Sequence, residues 1–299
     1  MAFSTRVPAM SEQIATAGGM AAAPFARWLG WISQRSTLVT GLVISGLILF
    51  IGFAAPFLYH VDTYAIHPAH ALEAPSWAFP FGTDELGRDE LALLLSGGFA
   101  TLVVALPAAI LAFVVGVAYG LASGLAPACV DRLMMRLLDA VLALPSLIIL
   151  IFFASLVTLN NTSLILLLGF ISWPGLARLV RNETLAQRGR DFVLAAEQMG
   201  AGRVYVARVH LLRVMAPVLV VNGTFMVGDS VFALSALSFL GLGVQPPQVS
   251  WGSLLESALD IIALDPWWLI LPPGLLVFGS LLAASLTGQG LLQRWGNNR

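Results

Sequence analysis

Three groups of residues in this chain combine types and spacings that could do chemistry. Asp229 is an acid inside an otherwise apolar run, residues 214–240. A lone charge in hydrocarbon costs at least about 2.5 kcal/mol, so this carboxylate is expected to face protein or a water-filled path, bonding another helix or touching a substrate. The second group is Phe81-Gly82-Thr83-Asp84-Glu85-Leu86-Gly87-Arg88-Asp89. Gly82 and Gly87 permit turns, and Asp84 can accept backbone donors or pair with Arg88. With Thr83 and Asp89 they read either as support for the fold or as a contact for an outside partner. The third group lies in a long arginine-rich loop, where Phe192, Ala195, Ala196 and Met199 recur at i, i+3, i+4 and i+7. That spacing is one face of a short helix, with Asp191 near its positive end and Gly200 suited to a left-handed stop. The helix is too short to cross a bilayer. Its face suits a groove on a partner protein, but equally a rest on the membrane or on the chain's own loops.

No catalytic set accompanies these groups. The absence of lysine excludes an ordinary phosphate-binding loop of the Gly-x-x-x-x-Gly-Lys type. The four histidines (His60, His67, His70, His210) lack metal-site spacing, His67 and His70 reading as surface residues of a polar loop. Cys129, the single cysteine, has no partner for an intramolecular disulfide. Fifteen arginines against 16 acids give a net charge of -1, with no basic excess for nucleic acid.

The elements that must position these residues are membrane helices. Of 299 residues, 58% are apolar and 10% charged, with mean hydropathy +0.88. A soluble domain carries about 25% charged residues, so neither a soluble core nor a disordered chain fits. Six runs are long and apolar enough to span a bilayer: 38–59, 98–126, 137–159, 163–180, 214–240 and 267–292. All 15 arginines except Arg88 fall before the first run, in alternate connections or after the last, which places both termini and the loop of about 181–213 in the cytoplasm. The opposite connections are acidic or neutral. The fold class is thus all-α, a polytopic membrane protein of six transmembrane helices.

Residues 1–36 read as a cytoplasmic or interfacial arm that is retained rather than cleaved, with 24–32 as its interfacial part. Residues 37–96 hold the first span and outer loop, 97–292 the five-helix core, and 293–299 a cytoplasmic tail. Gly116, Gly120 and Gly124 form a smooth ridge for close helix packing, and prolines at 107, 145, 174, 272 and 273 interrupt spans. Asp139 is expected near the cytoplasmic interface, where water can solvate it. Pro246-Pro247 stiffens an outer connection that Trp251 is expected to anchor at the membrane surface.

The loop helix resembles the cytoplasmic signature of binding-protein-dependent ABC importer permeases, a Glu-Ala-Ala triplet followed by glycine. Ala195, Ala196 and Gly200 match; Leu194 stands at the glutamate and Arg213 where a proline is expected. The 81–89 stretch resembles the C-type permease of the dipeptide, oligopeptide and nickel branch. So does Leu237-Ser238-Phe239-Leu240-Gly241-Leu242-Gly243-Val244-Gln245-Pro246-Pro247, with Ser250-Trp251-Gly252 after it. The likeness covers roughly residues 35 to 294, with Gly288-Gln289-Gly290-Leu291-Leu292 departing from the family's Gly-Asp-Gly-Leu-Arg.

The resemblance implies a permease subunit, not an enzyme, in the bacterial inner membrane. It would pair with a homologous permease as a heterodimer in membrane lipid, above two ATP-binding subunits and beneath an extracytoplasmic substrate-binding protein. No cofactor or metal would sit on this chain, ATP and magnesium being held by the ATPases. Phe192, Ala195, Ala196, Met199 and Gly200 would couple to those ATPases. Dipeptides or oligopeptides are the implied cargo, nickel or another metal chelate the alternative. The more distant alternatives are a gradient-driven secondary transporter using Asp229, a membrane scaffold or sensor, and an intramembrane enzyme.

Overall fold

The computed structural model describes residues 37–59, 61–157 and 159–296. The arm 1–36, His60, Thr158 and the tail 297–299 lie outside the described residues. The described chain is built from helices: α1 (Thr37–Leu58), α2 (Glu90–Leu125), α3 (Ala128–Leu142), α4 (Ser146–Ala154), α5 (Asn161–Ser172), α6 (Pro174–Arg188), α7 (Asp191–Gln198), α8 (Arg203–Phe239), α9 (Trp251–Asp260) and α10 (Trp267–Gly296). Four of them, α1, α2, α8 and α10, are singly long and apolar enough to cross a bilayer.

The third and fourth predicted spans are bent pairs. Helix α3 meets α4 at 77° and α5 meets α6 at 42°. Both breaks sit at proline, which lacks the N–H that would continue the ladder but suits the start of a new helix. Pro145 caps α4 and Pro174 opens α6. If each pair is one span, the described chain has six. The predicted loop of about 181–213 is largely helical as well, α6 running on through Arg188 and α8 beginning at Arg203.

Helix α2 is the central post. Its 36 residues extend about 54 Å, more than a hydrocarbon core of about 30 Å. Along its length it packs against α5, α6, α8 and the end of α1. The glycine ridge lets α6 approach: a methyl on Gly120 would lie 2.6 Å from the Ala177 carbonyl oxygen, and one on Gly124 2.6 Å from the Thr184 side chain. One apolar cluster surrounds the first half of α2, with Leu93, Leu102, Leu164, Leu168 and Leu234 buried. A second gathers at its far end, where Val180, Val193, Val206, Leu211 and Met215 meet.

Trp251 corrects one expectation. It is fully buried rather than anchored at the membrane surface: its indole N–H donates to the Leu94 carbonyl at 3.0 Å, and its backbone N–H to Thr101 Oγ1 at 3.2 Å. Ser250, equally buried, closes a reciprocal cap with Ser253 that starts α9.

Candidate functional site

The loop helix α7 forms as its sequence predicts. Asp191 lies in the first turn, and the helix is stopped at Gly200, whose φ is +87°. Gly200 N–H donates to Glu197 O at 2.9 Å and Ala201 N–H to Ala196 O at 3.0 Å, the paired bonds of a Schellman close. Packing then divides the predicted face. Val193 and Ala196 turn inward, Val193 joining the cluster with Val206 and Met215. Phe192, Ala195 and Met199 stay outward, Met199 with 82% of its surface free. Leu194, Val204 and Tyr205 extend this exposed apolar surface. Phe192 and Tyr205 both lie against His210, at ring-centre distances of 6.1 and 5.8 Å.

At the opposite end of α2 the 82–89 stretch folds into a clasp. Asp84 Oδ1 accepts from the backbone N–H groups of Leu86 and Arg88, and Oδ2 from Arg88 Nε at 2.6 Å. Asp89 caps α2 by accepting from Leu91 and Ala92 N–H, and its other oxygen accepts from the Tyr59 hydroxyl at 2.7 Å. Thr83 donates its hydroxyl to His70 O and accepts from Glu73 N–H, while Trp268 Nε1 donates to Thr83 O at 3.2 Å. Gly82 and Gly87 have φ of +73° and +72°, and a methyl on Gly87 would stand 1.9 Å from His67 O. Asp84 and Asp89 are thus spent within the chain, Asp89 joining the end of α1 to α2, while the Trp268–Thr83 bond brings in α10; Glu85 is exposed. His70 pairs with Glu73 at 2.8 Å, and no cluster able to hold a metal occurs among the described residues.

Asp229 lies in the last third of α8 on an exposed face, with Phe232, also exposed, one turn further on. No hydrogen bond or ion pair reaches its carboxylate among the described residues. An acid on the apolar part of a membrane helix is costly unless it meets protein or water, so this face calls for a partner or water beyond the described residues.

A loop helix stands at one end of α2, a hydrogen-bonded clasp at the other, and an acid without a partner among the described residues lies on α8. Residues 116–295 match the family described as binding-protein-dependent transport system inner membrane component. The chain belongs to this family of importer permeases. A Brucella suis protein bearing a peptide-permease name is 34% identical over 290 residues, covering 96% of this chain and 94% of that protein. The di/tripeptide transport system permease protein DppC of Pseudomonas aeruginosa is 36% identical over 271 residues, 88% of each chain. An Escherichia coli protein named for a D,D-dipeptide transport system permease is 31% identical over 264 residues, again 88% of each. The permease is accordingly a multi-pass inner-membrane transport subunit of the ABC importer class.

The permease also carries a charged network that sequence reasoning missed. Arg181 on α6 holds Asp131 on α3 by two bonds, and Asp131 also accepts from Ser123 of α2 at 2.6 Å. Arg178 pairs with Asp139, both exposed, about two helical turns beyond Asp131 on α3 and one turn before Arg181 on α6. Asp131 and Asp139 sit eight residues apart on one face of α3, and Arg178 and Arg181 three apart on α6. Two acids on one apolar-flanked segment and two arginines on another were the available signal, although their spacings differ.

Proposed function

We propose that the permease forms, with a homologous permease, the path for ATP-driven uptake of dipeptides or oligopeptides delivered by an external binding protein. The outward apolar row of Phe192, Ala195 and Met199 carries this reading. A short helix rigidly closed at Gly200, rooted by buried Val193 and Ala196, presents a surface that a cytoplasmic ATPase can grip. Nucleotide-driven closure of two such ATPases would pull α7 and, through the buried cluster, α6 and α8. That is a two-state element biased by a ligand held elsewhere, which is what alternating access requires. In this reading α7 and both termini are cytoplasmic, and the clasp is outside beside the binding protein. Asp229 faces the second permease or the aqueous path between the two. Peptide cargo is supported by the relatives' names.

The test is co-expression of the tagged chain with its neighbouring-gene partners and mild-detergent purification, followed by uptake of labelled dipeptide into vesicles loaded with ATP. Recovery of a second permease and ATPases, with uptake that stops when ATP is omitted, is the expected result. ATP-independent uptake by this chain alone would overturn the reading.

A further inference from the structure

Between the bent pair α3–α4 and the bent pair α5–α6 runs a cleft that changes character along its length. At the α7 end is a hollow of about 350 Å³ lined by Arg132, Arg136, Arg178 and Arg181 with Asp139 and Asn182. Adjoining it is a hollow of about 490 Å³ whose lining side chains are all apolar, among them Val141, Leu144, Phe153, Phe170 and Ile171. The two meet along α3, because Asp139 lines the first while the next two residues, Ala140 and Val141, line the second. On the facing side seven residues, about 10 Å of helix, separate Ile171 from Arg178.

The charges in this cleft do not balance. Arg178 is matched by Asp139 and Arg181 by Asp131. Arg132 spends only its Nε, on Ala128 O at 3.1 Å, and Arg136 has no hydrogen bond or ion pair among the described residues. Two guanidinium groups therefore stand without carboxylates at the polar end of an apolar groove. Guanidinium forks bind phosphate oxygens in pairs, and the groove offers lodging for a hydrocarbon chain attached to that phosphate. We propose that this cleft seats one anionic phospholipid, its phosphodiester held by Arg132 and Arg136 and an acyl chain laid along Val141, Leu144 and Phe170. Free phosphate would satisfy the arginines but leave the apolar walls unfilled; a lipid meets both, and basic pockets between membrane helices are suited to it. The bound lipid would fill the angle between α3 and α4 and brace the two bent pairs against each other.

The assembled importer, delipidated in mild detergent, is titrated with short-chain phosphatidylglycerol or phosphatidylcholine, and bound lipid is counted by native mass spectrometry. One phosphatidylglycerol per copy of this chain is expected, bound about tenfold more tightly than phosphatidylcholine. Arg132→Gln with Arg136→Gln should erase that preference while leaving both ion pairs in place; the comparison of the two lipids on the unaltered complex stands without any variant. Equal binding of the two lipids, or an undiminished preference in the double variant, overturns the proposal. So does displacement of the lipid by millimolar inorganic phosphate, which would make this a site for the free anion. Efficient cross-linking of Leu144→Cys to the second permease in native membranes would also overturn it, by showing the groove covered with protein.

Discussion

Arg181 grips Asp131 with two nitrogens, Nε to Oδ1 at 2.9 Å and Nη2 to Oδ2 at 2.5 Å, across 50 residues of sequence. The pair ties α6 to the start of α3, and Ser123 brings α2 into the same knot. Both side chains are largely covered, at 24% and 12% exposure. Removing one partner of such a pair leaves the other uncompensated, whereas removing both is far milder. Asp131→Asn should therefore destabilise the permease by about 2–3 kcal/mol, somewhat less than for a fully dry pair because water reaches the arginine. Asp131→Asn with Arg181→Gln should recover part of that loss. Thermal unfolding in detergent across the four proteins measures the coupling, and strictly additive losses would show the pair to be idle.

The two faces of α7 make different predictions for one substitution. Ala195→Glu and Met199→Glu place charge on the outward row, so the permease should fold normally and lose ATPase recovery on pull-down by tenfold or more. Val193→Glu buries that charge in the cluster with Val206 and Met215 and should prevent folding. Ala196→Glu also points inward, so its failure would not separate docking from folding. Undiminished ATPase recovery by Met199→Glu would remove α7 from the coupling surface.

Two glycines with similar φ should respond unequally to alanine. At Gly200 the added methyl enters open space, so only the left-handed backbone is penalised, by about 1–2 kcal/mol. At Gly87 the same penalty is joined by a 1.9 Å encounter with the His67 carbonyl. Gly87→Ala should open the clasp and sharply reduce folded protein, while Gly200→Ala is recovered in near-normal yield. Fluorescence size-exclusion profiles of both variants decide this.

Orientation is checked by labelling with a membrane-impermeant thiol reagent, after native Cys129, which is exposed, has been changed to serine. Gln248 and Gln198 are both exposed, whereas Ser250 is buried and would report nothing. Gln248→Cys should react in intact cells and Gln198→Cys only in inverted vesicles. The opposite pattern would reverse the topology.

Asp229→Asn should leave the melting temperature of the purified chain unchanged, since no bond within the described chain is lost, yet reduce uptake by the assembled importer. A fall in the melting temperature of the isolated chain would reveal an internal partner. Unchanged uptake would remove the carboxylate from the path.

What the sequence determined by itself is local or additive. Apolar runs of about 20 residues specify membrane helices, and arginine content distinguishes the two sets of connections. The short helix of Asp191 to Gly200 was legible because an acid, a 3.6-residue period and a terminal glycine are each local signals. So was the turn-rich clasp, since Gly82, Asp84 and Gly87 carry their own conformational demands.

Tertiary structure decided which side of each pattern is covered. Phe192 and Val193 are neighbours of similar hydropathy, yet Val193 is buried because the start of α8 lies against it. Trp251 could be read as a surface anchor until Leu94 and Thr101, about 150 residues away, supplied its hydrogen bonds. The pairing of Arg181 with Asp131 likewise depends on how two bent helices cross. In a membrane chain apolar residues face both lipid and protein, so hydropathy marks the span but not its inner side; close packing and the pairing of polar groups across distant segments make that choice.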